Sequence, residues 1–145
     1  MVDTTLIQRK IALLQDRKRE LQGYGITSLS DLQTKPYMEK AVEKVLQEMV
    51  EICLDIGKHI IADDNLRLPN DTRDTFAVLA ESAVLSTTTA ELMKKMAAFR
   101  NLIVHLYEKI DVVEVYNVYT NHLCDFDLVT KEVLAYLQRT NQSAP

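Results

Sequence analysis

The stretch that follows Pro36 constrains this chain more than any other. Ala41, Val42, Val45, Leu46, Met49, Ile52, Cys53, Ile56 and Ile60 recur every three to four residues. That is the period of one helix face, and it does not fit the two-residue alternation of a half-buried strand. Pro36 opens such a helix without losing a hydrogen bond. Asp63-Asp64-Asn65 stops it, and Pro69-Asn70-Asp71 makes a loop. A stripe this long has to be buried against other elements. Only three Gly and three Pro occur in 145 residues, which favours helices over a turn-rich β architecture.

The rest of the chain divides the same way. A first helix starts at Asp3 or Thr4, carries Leu6, Ile7, Ile11, Leu14 and Leu21, and ends at Gly23 and Gly25. Ser28 to Leu32 reads as a single helical turn. A further helix runs from about Thr72 to Val84 with Phe76, Leu79, Ala80 and Val84 inward. Ser86 or Thr87 caps the next, which carries Leu92, Met96, Phe99, Leu102, Ile103 and Leu106. Asp111 starts a last helix with Val112, Val115, Tyr116, Tyr119, Leu123, Phe126, Val129, Val133 and Leu137. Long helices on short connections predict an all-α antiparallel bundle of four to five helices. One domain over residues 1–138 and a polar tail over 139–145 are expected.

Composition narrows the function classes. A net charge of −4 is no general invitation to phosphate, so RNA binding would need locally placed Arg and Lys. Arg9-Lys10 and Arg17-Lys18-Arg19 are such an excess, although a solvated helix face is the commoner meaning. Cys53 and Cys124 stand apart in apolar contexts with no CxxC and no Cys/His cluster. That pattern suits buried thiols in a reducing cytosol better than a zinc site. No metal or cofactor is expected. MVDTTLIQRK lacks the apolar segment of a signal peptide, and no run approaches a membrane span, so a cytoplasmic protein with no membrane role is expected.

Chemistry concentrates in Arg100-Asn101-Leu102-Ile103-Val104-His105-Leu106-Tyr107. On an ideal helix Phe99, Leu102, Ile103, Leu106 and Ile110 form the core stripe, within about 100° of arc. With Arg100 at zero, Asn101 falls near roughly 100°, His105 near roughly 140° and Tyr107 near roughly 340°. These groups therefore project away from the core or along its margin. Asn101 and His105 share a face, but Arg100 and His105 do not meet on one straight helix. Either the helix is irregular there, or two copies bring their motif helices together across a two-fold axis; the second is preferred. An imidazole can take a proton from a ribose 2′-hydroxyl and return one to the leaving oxygen. A guanidinium can hold the phosphate. Together they would cleave RNA without a metal. A polar helix face with one Arg and one His is the bland counterpart. His59 and His122 show how ordinary such histidines are: the first reads as a surface or capping residue, the second as paired with Asp125 or solvated. Tyr116, Tyr119 and Phe126 read as core rather than a stacking platform. Glu114, Asp125 and Asp127 make no metal-ligand pattern.

R-N-L-I-V-H with the following Leu106-Tyr107 resembles the R-x4-H-x-Y motif of the HepT family of HEPN domains. Met93 to Asn101 resembles the family's lead-in, and Ile110-Asp111 with Val115-Tyr116 its last helix. The resemblance covers the chain to about Leu137. It implies a HEPN-like helical homodimer with the motif at the interface. It also implies a metal-independent endoribonuclease toxin of a toxin–antitoxin pair, with Arg100 and His105 catalytic and Asn101 their polar companion. The implied partner is a minimal nucleotidyltransferase antitoxin, MntA, which attaches AMP to the motif tyrosine, here Tyr107. AMP near Arg100 would compete with substrate phosphate. The resemblance also admits a non-catalytic subunit that serves only as the nucleotidyltransferase's binding partner.

Overall fold

A computed structural model of the chain describes residues 1–105 and 110–142. Seven helices and no strand occur among them: α1 (Thr4–Gly23), α2 (Leu29–Gln33), α3 (Pro36–Asp63), α4 (Thr72–Glu81), α5 (Thr87–His105), α6 (Val112–Asn121) and α7 (Leu123–Gln142). The expected all-α bundle is present. Its organising element is α3, which touches every one of the other six helices. Val42, Val45, Leu46, Met49, Cys53, Ile56 and Ile60 of its stripe are buried, and so are Val50, Leu54 and Ile61 beside them. The buried arc is wider than one stripe because α3 is packed on several sides. At Gly57 the next helix comes very close. A Cβ there would lie 2.9 Å from Leu79 Cδ1 and 3.1 Å from Thr75 Cγ2, both on α4.

The helix starts follow local chemistry. Asp3, Asp71 and Asp111 each accept a hydrogen bond from a first-turn backbone N–H, those of Leu6 (3.1 Å), Asp74 (2.7 Å) and Val113 (2.9 Å). Such caps satisfy donors that the helix itself cannot. Pro36 occupies the first turn of α3, and Asn65 follows its end at a positive φ of 53°.

Three expectations need correction. The fourth helix stops at Glu81, not Val84. Ala83 turns left-handed at φ 57°, the Val84 N–H returns to the Leu79 carbonyl at 2.9 Å, and Val84 and Leu85 drop into the core. The last helix is two helices, broken at His122. A straight continuation would put His122 in phase with Val115, Val118 and Phe126, inside the core. Desolvating an imidazole there is costly, and the break lets its Nδ1 pair with Asp125 Oδ2 at 3.0 Å. Leu102, expected in the core stripe, is 43 % exposed. Phe99 is buried and Ile103 packs against the core, so α5 is rotated to favour those two. The expected inward residue Leu106 lies outside the described residues. The stretch read as a polar tail is helical as far as Gln142, with the Arg139 guanidinium donating to the Ala83 carbonyl at 2.8 Å.

Candidate functional site

Arg100, Asn101 and His105 all lie at the C-terminal end of α5. Met93, Met96, Ala97 and Phe99 are buried on this helix, and their burial sets its rotation. Arg100 is thereby left at the margin, half-buried, where α5 crosses α3.

There the guanidinium meets Glu51 of α3. Arg100 Nη2 and Nε donate to the same oxygen, Glu51 Oε1, at 2.9 and 3.2 Å. Nη1 donates to Asn101 Oδ1 at 3.0 Å. Gln47, one turn before Glu51, donates its amide N–H to Oε1 at 3.1 Å. Burial alone would push the Glu51 carboxyl up. The hydrogen bonds from Gln47 and Arg100, with the Arg100 charge, outweigh that and hold it below the usual carboxylate range. Glu51 is therefore an anion at neutral pH, and the pair is charge-assisted.

Beside this pair runs an open groove of about 650 Å³ between α1, α3 and α5. Arg17, Lys58 and Arg100 line it, and so do Glu48, Glu51 and Asp55. Opposed charges in equal number leave no continuous electropositive track. Four of the five basic side chains of that α1 excess are ion-paired: Lys10 with Asp55, Arg17 with Glu20 and Glu48, Lys18 with Asp127, and Arg19 with Asp16.

His105 is exposed on the last turn of α5. Among the described residues, no hydrogen bond or ion pair joins it to Arg100, Asn101 or Glu51. Within one copy His105 is apart from Arg100, in line with the helix geometry, whereas Asn101, expected on the His105 face, accepts from Arg100 instead. Tyr107 lies outside the described residues. At the end of α5 Leu102 is 43 % and Val104 39 % exposed, and on α6 Val113 is 51 % exposed.

The remaining candidates resolve simply. His59 Nε2 lies 3.7 Å from Asp55, one turn before it on α3. His122 takes the Asp125 pairing. Phe126 is buried, and Tyr116 and Tyr119 pack against the core. Cys53 is buried, which pushes its thiol up, whereas Cys124 is exposed, contrary to expectation. No cluster of three His, Cys, Asp or Glu that could hold a metal occurs among the described residues. Sequence reasoning missed Glu51. It sits at the edge of the α3 stripe, 49 positions from Arg100, and no local pattern marks it.

A family model described as ribonuclease HepT-like matches residues 9–133. The mRNA nuclease HepT of Shewanella oneidensis is 32% identical over 123 residues, spanning 84% of this chain and 91% of that protein. The tRNA nuclease HepT of Aphanizomenon flos-aquae is 21% identical over 136 residues, spanning 94% of this chain and 92% of that one. Among solved structures, a toxin–antitoxin with AMP-PNP superposes with a TM-score of 0.84 at 28% identity, over 91% of this chain and 99% of that one. A tri-AMPylated Shewanella oneidensis HEPN toxin in complex with MNT antitoxin gives 0.83 at 30% identity, over 93% and 99%.

Proposed function

Since the chain belongs to the ribonuclease HepT-like family, we propose that it is the toxin of a HepT/MntA-type pair. In this reading it is an endoribonuclease that needs no metal and works at the interface of a homodimer. The observation that carries the reading is the Arg100 guanidinium. It is fixed by Glu51 and Asn101 at the edge of an open groove, on the helix that also presents an exposed His105.

Because His105 and Arg100 of one copy stay apart, the working site takes groups from two copies. The exposed Leu102 and Val104 supply apolar surface that a second copy of the same helix end would cover, the self-complementary contact a two-fold interface needs. In such a cleft one imidazole accepts the proton of the ribose 2′-hydroxyl as its oxygen bonds to phosphorus. The phosphorus–O5′ bond breaks, and the imidazolium of the other copy protonates the departing oxygen. Arg100 holds the phosphate and stabilises the charge that gathers on its oxygens. Asn101 holds Arg100. DNA lacks the 2′-hydroxyl, so cleavage is confined to RNA.

Control falls to a minimal nucleotidyltransferase that transfers AMP from ATP to Tyr107. Support comes from the relative that was solved tri-AMPylated with its antitoxin. Each adenylyl group adds a phosphate anion and a base close to the motif, and both compete with RNA for Arg100.

The test is purified protein on total RNA with EDTA present. Wild type cleaves, whereas Arg100→Ala and His105→Ala do not, at unchanged helical content. Sedimentation gives the mass of two chains. Cleavage that persists in both variants would remove the nuclease assignment. Stable association with the nucleotidyltransferase in the absence of any cleavage would leave a non-catalytic partner subunit.

A further inference from the structure

An arginine guanidinium carries five N–H donors in a rigid plane. Arg100 commits three of them: Nε and one N–H of Nη2 to Glu51, and one N–H of Nη1 to Asn101. The remaining two, one on Nη1 and one on Nη2, are the donors left for two oxygens of a phosphate. Glu51 fills the side edge of the plane, through Nε and Nη2. It is braced in turn by Gln47 on its own helix, and both Glu51 and Arg100 line the groove. A carboxylate beside a phosphate-binding arginine weakens phosphate attraction by its charge. Its benefit has to lie in direction: a long side chain, free in solution to sample many rotamers, is held with its fork pointing one way.

We infer that Glu51 is a positioning residue that aims the outer N–H pair of Arg100 at the scissile phosphate. The inference rests on the nuclease reading above. It separates two quantities that a purely structural salt bridge would move together. Loss of the Glu51 charge leaves phosphate binding equal or tighter, whereas loss of the oxygen acceptor lets the fork wander and slows the chemical step.

The experiment compares wild type with Glu51→Ala, Glu51→Gln and Arg100→Ala as intact dimers on a defined single-stranded RNA. Folded fraction is fixed by circular dichroism at the assay temperature. Glu51→Ala lowers kcat by roughly tenfold to a hundredfold, the scale of a misdirected catalytic group, with KM unchanged or lower. Glu51→Gln keeps an acceptor oxygen and recovers kcat to within about fivefold of wild type, since a neutral hydrogen bond replaces a charged one. The Arg100 Nε–Hε resonance gives a readout that needs no substrate. It is protected from exchange in wild type, partly protected in Glu51→Gln, and in fast exchange in Glu51→Ala. A kcat for Glu51→Ala within twofold of wild type overturns the inference, as does equal impairment of Ala and Gln, or an unchanged Nε–Hε signal. If the inference alone fails, Arg100→Ala is still inactive. If Arg100→Ala and His105→Ala both cleave like wild type, the nuclease reading falls and takes this inference with it.

Discussion

Two arginines in this molecule are gripped by carboxylates, and they are gripped differently. Arg67, in the loop between α3 and α4, donates to both Asp74 and Glu81. Nη1 and Nη2 reach the Asp74 carboxylate at 2.7 and 3.1 Å, and Nε and Nη2 reach Glu81 at 3.1 and 2.8 Å. Both edges of its plane are filled. It fastens the loop across one face of α4, and its charge and its capacity for bidentate bonding are spent. Arg100 has one carboxylate on one edge and an amide oxygen on Nη1, which leaves two of its five N–H donors uncommitted to those partners. Exposure does not separate the two roles, because Arg67 is the more exposed side chain, at 43% against 21%. What separates them is saturation. A guanidinium closed on both edges is a fastener, and one closed on a single edge is aimed.

That distinction is broken or sharpened most strongly by removing each arginine in turn. Arg100→Ala is expected to cut RNA cleavage by roughly a thousandfold, the upper range for deleting one preorganised charge-stabilising donor. Arg67→Ala leaves the rate per folded molecule within twofold. Equal losses in the two variants would erase the difference. Arg100→Lys keeps the charge but not the planar fork. It loses cleavage by about tenfold to a hundredfold, the effect of about 1.4 to 2.7 kcal/mol of transition-state stabilisation. A lysine variant as fast as wild type would show that charge alone is used at this position. Stability reverses the ranking. Arg67→Ala lowers Tm by about 2–4 °C, the shift expected of one modest interaction network in a domain of this size. An unchanged Tm by calorimetry would mean that the network fastens nothing.

The same contrast explains which features could be foreseen. The helices were legible because they rest on short-range pattern: the α3 stripe, the Pro36 start, and the Asp3 and Asp111 caps depend on residues within a turn of one another. Arg100, Asn101 and His105 were legible because they lie on one helix with a motif spacing. Glu51 was not, since its role comes from α3 crossing α5, a tertiary fact with no trace in local sequence. The break at His122 failed for a different reason. Apolar periodicity runs through that position in phase, and only the cost of burying an imidazole, with Asp125 nearby to receive it, interrupts the helix. Leu102 looked like core because a helical stripe reports a face and not its neighbours. Its side chain meets solvent in the single chain, where the proposed dimer would bury it.

Acid distinguishes the two arginines least, but with a definite sign. Hydrogen bonds from Arg67, then the Asn70 backbone N–H, pull the Asp74 carboxyl from 3.8 down to about 2. Arg67 likewise lowers Glu81 below its ordinary 4.5. A carboxyl whose folded value is depressed stabilises the fold above its unfolded value and stops doing so as pH falls through its folded value. The contribution of Arg67 is therefore fully present at neutral pH, begins to shrink as pH falls below 4.5, and is gone near pH 2. Thermal melts of wild type and Arg67→Ala from pH 7 to pH 2 should run parallel down to about pH 5 and then converge. Glu51 is also depressed, and Arg100→Ala should converge with wild type in the same direction. Salt separates them further: added salt should screen the exposed Arg67 network more than the half-buried Arg100–Glu51 pair. The Tm gap for Arg67→Ala should therefore narrow at high ionic strength while that for Arg100→Ala holds. Gaps that close together would mean that the Arg100 pair is as open to solvent as Arg67, and that a carboxylate so screened could not hold a guanidinium in one direction.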